Sequence, residues 1–193
     1  MSRRSAGRWI ACLTCLAAAA TACGKKKEQA EGDGSAITSN SAGKTAEELA
    51  PAPATAGVTW KRIEMPFGSM DLPADPGWNL VGTDVQGKDD MVIMLQAQDG
   101  ITPDQQSSYL KQYGKLQARD AHGYRAKAHV GTLRGEPAIR IEGTFDNGTK
   151  YVTREYLVFA KGKVVALAAH IPATNADKLP GIIDPIARTL LVK

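Results

Sequence analysis

Three cysteines are the most reactive side chains of this 193-residue sequence, and all of them lie near its start. They are Cys12, Cys15 and Cys23. The last one follows Ala20-Thr21-Ala22, whose small side chains allow the chain to lie extended in the cleft of a peptidase. A thiol at the cleavage point can accept a diacylglyceryl group. The small residues therefore predict cleavage before Cys23.

The segment before Cys23 has the composition of an export signal. Three arginines (Arg3, Arg4 and Arg8) precede an apolar run at 9–22. Fourteen residues at 1.5 Å each span about 21 Å, which is shorter than the roughly 30 Å of a bilayer core. We therefore predict that residues 1–22 are a removable signal peptide and not a membrane span.

The four residues ending at Cys23 resemble the lipobox of bacterial lipoproteins, with Ala20 in place of the commoner leucine. The resemblance implies acyl chains, including palmitate, on Cys23 and attachment to the cell envelope. Gly24 resembles the sorting pattern of lipoproteins sent to the outer membrane, so we expect a location there, facing the periplasm. The same residues satisfy the Ala-x-Ala rule of ordinary secretion, which leaves simple release as the alternative. Cys12 and Cys15 fit the motif badly.

Removal of the signal peptide changes the cysteine count and the charge. One cysteine remains, and its lipid excludes a disulfide, a thiol nucleophile or a cysteine-based metal site. The 24 basic residues fall to 21, against 20 acidic ones, because the signal carries three arginines. This near balance argues against nucleic acid binding.

Residues 23–57 comprise the lipidated cysteine and a predicted disordered tether. The segment 24–57 has almost no large apolar side chain, so it cannot bury enough surface to offset its ordering entropy. Its 34 residues give a root-mean-square reach of about 30 Å. Lys25–Lys27 can each add about 1 kcal/mol of attraction to anionic head groups. The fragment Ala42–Thr45 looks like the end of a phosphate-binding loop, but Thr38 stands where that motif needs its first glycine.

Histidines, serines and adjacent carboxylates are the other candidates for chemistry. The histidines are His122, His129 and His170, and the serines of residues 58–193 are Ser69, Ser107 and Ser108. The histidines lack helical ligand spacing, and no serine lies in a G-x-S-x-G motif. Asp89-Asp90 is adjacent in an extended chain, where neighbours point to opposite sides, so we expect a solvated strand entry. We predict no catalytic residue, no metal site, no cofactor and no enzymatic activity.

Basic and aromatic residues offer two further interpretations. Arg125, Lys127, Arg140 and Arg154 can share a polar sheet region and meet an anionic partner such as a lipid or glycan. Because residues 58–193 carry 17 basic and 15 acidic side chains, a mixed-charge solvated face is the favoured interpretation. The aromatic residues Trp60, Trp78, Tyr109 and Tyr113 are expected in the core. A cleft exposing several of them together would reopen a binding role.

Strand patterns dominate residues 58–193, which form one domain of 136 residues. Trp60–Phe67 alternates, and Met91–Leu95 is apolar at every position, which predicts a strand covered on both faces. Four further strands are predicted at 125–133, 137–145, 151–159 and 164–171, with small apolar residues in 164–169 where helices pack. Asn147-Gly148 predicts a type I′ turn, because these residues accept positive φ angles. Arg134–Glu136 and Lys161–Lys163 are the other turns.

Two helices accompany these strands. Thr102-Pro103-Asp104-Gln105 has the pattern of a helix start, with Thr102 as cap and Gln105 at N3. The stripe Tyr109, Leu110, Tyr113 and Leu116 follows, and the helix should end before His122. A second helix is predicted from Thr174, with Asp177 at N3 and with Asp184 recapping the chain before Pro185.

The order of these elements resembles the PsbP-like superfamily over about residues 60–193. The resemblance rests on the Pro76-Gly77-Trp78 turn, the apolar strand at 91–95, the helix opening Thr-Pro and the hairpin meander closed by an apolar helix. It implies an α+β fold, an antiparallel β-sheet of about six to seven strands with helices on its faces (an α/β/α sandwich). Members of the superfamily have varied roles and generally lack a shared catalytic set.

The sequence supports two hypotheses of function. The first is a non-enzymatic envelope lipoprotein that serves as a binding or assembly module for another envelope protein. Its partners are then the membrane, through the lipid anchor, and a protein of the envelope. The alternative is a small-molecule or lipid-binding carrier with a pocket between sheet and helix, which requires an apolar cavity of roughly 300 Å³ or more.

Overall fold

A computed structural model describes residues 46–50, 58–75, 77–81, 84–113, 117–119, 125–146 and 148–193. All of them belong to one compact unit, 44–193. Cys23, the signal peptide 1–22 and the tether residues 24–45 and 51–57 lie outside the described residues. So do Pro76, Leu116, His122 and Asn147. Within the described part, no helix has the length and apolar character needed to cross a membrane.

The described residues form eleven strands and two α-helices. The strands are β1 (Trp60–Met65), β2 (Gly68–Pro73), β3 (Asn79–Val81), β4 (Asp84–Gln86), β5 (Val92–Asp99), β6 (Gln117–Arg119), β7 (Arg125–Leu133), β8 (Glu136–Asp146), β9 (Lys150–Ala160), β10 (Lys163–Pro172) and β11 (Leu191–Val192). The helices are α1 (Pro103–Tyr113) and α2 (Leu179–Thr189), and a 3-10 helix at Ala173–Lys178 leads into α2.

The strands make two antiparallel sheets. The larger has eight strands in the order β3-β4-β5-β10-β9-β8-β7-β6, and the smaller has three in the order β1-β2-β11. Neighbours in the meander β7 to β10 are consecutive in sequence, as the predicted hairpins require. The predicted total of about six to seven strands is exceeded because three-residue strands extend the large sheet and residues 191–192 join the small one.

Two of the hairpins close with two-residue turns whose central residues have positive φ. Arg134 and Gly135 have φ of 56° and 82°, and Lys161 and Gly162 have φ of 53° and 71°. These values are typical of the type I′ turns that match the twist of a hairpin. At the third hairpin Asp146 pairs with Lys150, so three residues form the loop. The hairpin predicted at Asp146–Thr149 is confirmed, and Asn147, on which the predicted turn type depends, lies outside the described residues.

Helix α1 begins with the predicted capping box. The Gln105 backbone N–H donates to Oγ1 of Thr102 at 3.2 Å, and the Thr102 N–H donates to Oε1 of Gln105 at 2.9 Å. This reciprocal pair satisfies two of the N–H groups that a helix start leaves free. The prediction for this helix start is confirmed.

Helix α2 begins five residues later than predicted. Residues 173–178 form the 3-10 helix, and no side chain caps either this helix or α2, so the predicted Thr174–Asp177 cap is wrong. Pro180 lies in the first turn of α2, where a missing N–H costs nothing. The helix then continues through Pro185. Asp184 does not recap it, because its carboxylate is bonded to Arg154.

Hydrophobic clusters on both faces of the large sheet hold the helices in place. On strand β10, Val165, Leu167 and Ala169 belong to the cluster that includes α2 and the small sheet. Val164 and Ala166 point the other way, into the cluster against which α1 packs. The predicted α+β class, with an antiparallel sheet between helices, is confirmed.

Strand β5 is covered on both faces less completely than predicted. Ile93 and Leu95 are buried on the α2 side, whereas Val92 and Met94 on the other face are only partly buried. Helix α1 packs mainly against β7 and β8, so it leaves this face of β5 less covered. The apolar run shows that β5 has apolar side chains on both faces, but it does not show which of these side chains a helix covers.

A segment at 46–50, which we call the strap, packs into the domain although the tether was predicted to continue to residue 57. The Leu49 N–H donates to the Thr132 carbonyl at 2.9 Å, and the Thr132 N–H donates to the Glu47 carbonyl at 2.8 Å. Leu49 and Ala50 are fully buried in the α2-side cluster. The packed domain therefore begins before residue 58.

Candidate functional site

A cleft of about 660 Å³ opens between the small sheet, α2 and the loops on either side of β3 and β4. We call it the tryptophan cleft. It is lined by Val58, Thr59, Trp60, Pro73, Ala74, Asp75, Trp78, Lys88, Asp89, Gly181 and Ile182. Both tryptophans are partly buried and pack against the α2-side cluster, so part of each indole is exposed. Residues 60 and 78 hold the only tryptophans of 23–193.

Glycines set the position of the cleft wall around Trp78. A Cβ at Gly87 would lie 2.7 Å from the Trp78 ring, and a Cβ at Gly77 would lie 2.7 Å from the Lys88 side chain. Side chains cannot approach so closely without a shift. Glycine at position 87 therefore allows the loop to pack directly against the Trp78 ring.

Two ion pairs form the rim of the cleft. The Lys88 ammonium donates to Asp75, and Lys178 Nζ lies 2.8 Å from Oδ1 of Asp89. Donation from Lys88, and then from the Gly77 N–H, lowers the pKa of the Asp75 carboxyl. Because both pairs are partly exposed, their oxygen and nitrogen atoms are within reach of a bound molecule.

The loop that carries this rim has an unusual backbone. Asp89 and Asp90 have φ of 58° and 57°, a region that costs non-glycine residues free energy. The loop is closed by hydrogen bonds from the Met91 N–H to the Lys88 carbonyl and from the Gly87 N–H to the Met91 carbonyl. Asp89-Asp90 is exposed directly before β5, as expected from the sequence, but it forms a tight turn where an extended chain was expected.

Helix α2 contributes an open position to the cleft. A Cβ built at Gly181 meets no atom within 4 Å. Pro185 lies four residues later and has no N–H, so the Gly181 carbonyl lacks its usual helical donor. The helix therefore offers space and a backbone acceptor beside the exposed side of Ile182.

A second polar cluster, the Arg154 network, lies between the large sheet and α2. Arg154 donates to both carboxylate oxygens of Asp184, at 2.6 and 2.7 Å, and to Glu142 at 2.6 Å. Tyr156 donates to Asp184 at 2.7 Å, and Arg140 Nε lies 3.2 Å from Glu142. A groove of about 420 Å³ beside this network includes Lys127.

Each charge of the Arg154 network is balanced by an opposite one. Burial alone would lower the pKa of the Arg154 guanidinium. The neighbouring carboxylates of Asp184 and Glu142 have the larger combined effect, so the pKa is raised. Burial, and then the bond to Asp184, raises the pKa of Tyr156 above its ordinary range. The predicted sharing of a sheet region by Arg140 and Arg154 is confirmed, with mixed charge as favoured. Lys127 lines the groove beside this network together with Glu142 and Arg154, and the Arg125 side chain is outside the described residues.

The described histidines lie in separate places. His129 Nε2 is 3.9 Å from Glu142, at the edge of the Arg154 network. His170 makes edge contacts with Phe145 and Tyr151, whose rings stack at 4.9 Å, and burial lowers the pKa of His170. No group of three or more potential ligands among the described residues could hold a metal ion.

The three serines of the domain also lie apart. Ser69 is buried at 3% exposure, and its Oγ lies 3.4 Å from the Arg62 guanidinium. Ser107 and Ser108 are exposed on α1. None of them contacts a described histidine.

Sequence reasoning missed the tryptophan cleft. Trp60 and Trp78 were expected in the core, since large aromatic residues usually lie there. The available signal was the pair Gly77 and Gly87 beside a tryptophan and a lysine, because glycine often marks a close approach. The sequence alone does not show which aromatic ring packs against either glycine, because that depends on the path of the backbone.

No protein-family model matches the sequence, and no curated protein matches it either.

Solved structures do match the fold at low identity. LpqN from Mycobacterium tuberculosis, described as involved in cell envelope biogenesis, is 15% identical with a TM-score of 0.48; the match covers 77% of this chain and 98% of LpqN. Cyanobacterial PsbP from Synechocystis is 12% identical with a TM-score of 0.46, over 75% and 99% of the two chains. A protein of unknown function from Pseudomonas aeruginosa is 14% identical with a TM-score of 0.41, over 69% and 97%. None of these likenesses indicates an activity or ligand for this chain.

Proposed function

We propose that this protein is a non-enzymatic lipoprotein of the bacterial cell envelope whose folded domain is a binding module, with the tryptophan cleft as its binding site. The observation that supports this function is the cleft itself. Its volume of about 660 Å³ exceeds the roughly 300 Å³ at which ligand pockets begin. It lies between a sheet and a helix, where the carrier hypothesis requires a pocket.

The chemistry of the cleft supports binding and not acid–base catalysis. Its two carboxylates, Asp75 and Asp89, are both held in ion pairs with lysines. A general acid or base needs a pKa near the operating pH, whereas the pKa of Asp75 is lowered further below its ordinary value. We therefore assign these side chains to ligand contact.

The anchor is proposed at Cys23, with the outer membrane facing the periplasm as the location. The support comes from the short apolar run at 9–22 and the small residues before the cysteine. Intact-mass analysis of cells treated with globomycin tests it. A precursor that accumulates under the drug supports lipid processing, and an unchanged mass argues for simple release.

The binding function is tested with two substitutions at one position. Gly181→Leu places a side chain in the open space of the cleft, and Gly181→Ala is the matched control. We expect an extract of the organism's envelope to change the emission of Trp60 and Trp78 in the processed protein. That change should persist in the alanine variant and be lost in the leucine variant. No change in any of the three proteins would refute the function.

Assembly with another envelope protein is a second candidate. It is favoured by the aromatic cluster of Phe145, Tyr151 and His170, which is only partly buried at one end of the α1 face. A photo-crosslinker placed at Tyr151 should capture one specific envelope protein, while the same probe at the exposed Ser107 should not. Equal capture at both positions would argue against this role.

A further inference from the structure

We infer that the ligand of the tryptophan cleft is an uncharged saccharide, bound with its ring faces against Trp60 and Trp78 and its hydroxyl groups at the rim. This inference rests on the proposed function, because it names the ligand class of the same site.

The charges around the cleft cancel in pairs. Asp75 is matched by Lys88, and Asp89 is matched by Lys178. A ligand with a charged group would pair with the lysine or the aspartate of one of these ion pairs. The other member of that pair would then lose its partner. An uncharged polar ligand leaves both pairs intact and can still hydrogen-bond to them.

The aromatic walls suit a molecule with flat apolar faces. The electron-rich face of an indole attracts groups that carry partial positive charge. The C–H bonds on one side of a sugar ring form such a face. Trp60 and Trp78 are partly buried, so each is held by its packing and still presents surface to the cleft.

The rim provides acceptors and donors together, as hydroxyl groups require. Carboxylate oxygens of Asp75 and Asp89 accept hydrogen bonds, and the ammonium groups of Lys88 and Lys178 donate them. The Gly181 carbonyl adds an acceptor from α2. A hydroxyl group both donates and accepts hydrogen bonds, so the hydroxyl groups of a ligand can bond to the carboxylates and to the ammonium groups of this rim.

An acyl chain fits this cleft less well. A hydrocarbon gains most where it is removed from water, but the cleft opens to solvent and its rim pairs are exposed. The side chains of Lys88 and Asp75 are 55% and 40% exposed. An acyl chain lying there would remain exposed to solvent. It would also displace water from the charged groups of the rim without replacing the hydrogen bonds of that water.

The test uses the processed full chain, purified in a detergent without a sugar head group. Maltotriose, cellotriose and chitotriose are the neutral probes, with trigalacturonic acid as the charged probe and dodecanoate as the acyl probe. The readout is the emission of Trp60 and Trp78. We expect saturable binding of at least one neutral trisaccharide, weakened at least tenfold in Gly181→Leu and changed less than twofold in Ser107→Leu, which adds a leucine to the exposed surface of α1 outside the cleft.

Three outcomes would overturn the inference. Tighter binding of trigalacturonic acid would refute an uncharged ligand. Binding of dodecanoate alone, lost in Gly181→Leu, would refute the saccharide class and leave the binding function in place. If neither the probes nor the envelope extract changes the emission, the inference and the proposed function both fail. Circular dichroism spectra of both variants establish that they are folded.

Discussion

The carboxylate of Asp184 on α2 is bonded to the guanidinium of Arg154 on β9, with oxygen–nitrogen distances of 2.6 and 2.7 Å. The two side chains are 13% and 14% exposed. The pair connects the helix to the large sheet at a point where the sequence indicated only a helix cap. Because the hydroxyl of Tyr156 also donates to Asp184, the carboxylate is the centre of the buried polar cluster.

Substitution of Asp184 by alanine should therefore cost much more than the loss of a cap. Removing one member of a buried pair leaves the other charge without a partner, which costs about 3–5 kcal/mol. A lost cap costs about 1 kcal/mol. We expect the free energy of unfolding in urea to fall by about 3 kcal/mol. Asp177→Ala is the control, since Asp177 is exposed and caps nothing, and a loss of about 1 kcal/mol for Asp184→Ala would contradict the prediction.

The strap contributes to stability through Leu49. This side chain is fully buried, and removal of a buried leucine side chain costs about 2–5 kcal/mol. We expect Leu49→Ala to lower the free energy of unfolding by about 3 kcal/mol. The matched control is Leu80→Ala, because Leu80 is 46% exposed. Equal effects of the two substitutions would mean that the strap does not pack in solution.

Two glycine-to-alanine substitutions should have opposite signs. A Cβ at Gly131 would lie 2.3 Å from the Glu47 carbonyl oxygen and would push the strap away. We expect a loss of about 1–3 kcal/mol, as for other overpacked sites. A Cβ at Gly181 meets nothing, and alanine is favoured over glycine in a helix by about 1 kcal/mol. Thermal unfolding of both variants measures the contrast, and a stabilised Gly131→Ala would contradict it.

Glu155 should make the protein less stable as the pH rises. Burial raises the pKa of this carboxyl to about 7, from an ordinary value of 4.5. No salt bridge to Glu155 occurs among the described residues. Between about pH 4.5 and pH 7 the folded state binds more protons than the unfolded state, so the free energy of unfolding falls as the pH rises through this window.

Glu155→Gln removes this effect, because an amide does not titrate. We expect the variant to be more stable than the native protein by about 1–2 kcal/mol at pH 8, since the side chain keeps some contact with water. The difference should shrink towards pH 4.5. Urea unfolding at both pH values tests it, and a difference that does not change with pH would exclude this carboxyl as the cause.

Local patterns in the sequence predicted the parts of the fold that depend on neighbouring residues. The capping box of Thr102 and Gln105 spans four positions, so both partners are visible in one short motif. The alternation in β7 to β10 predicted the meander for the same reason, since side chains two positions apart share a face. The hairpin at Asp146–Thr149 was also predicted from adjacent residues, whereas its loop length is decided by the pairing of Asp146 with Lys150 and not by the turn residues alone.

The strap shows how composition can hide a buried segment. Leu49 and Ala50 lie in a polar, alanine-rich stretch that has too few apolar residues to fold alone. They are ordered because Arg140 and Arg188 donate to their carbonyl oxygens, both at 2.6 Å. These arginines lie 91 and 138 positions away in the chain, so no local window contains the contact.

The sequence by itself determined the predicted lipid site at Cys23, the α+β class and the start of α1, because each depends on residues that are adjacent or periodic. The tertiary structure alone decided that Asp184 pairs with Arg154 and that Trp60 and Trp78 line one cleft. The physical reason is distance along the chain. Such contacts depend on the path of the backbone and on the glycines that allow two loops to meet, and neither is encoded in a short stretch of residues.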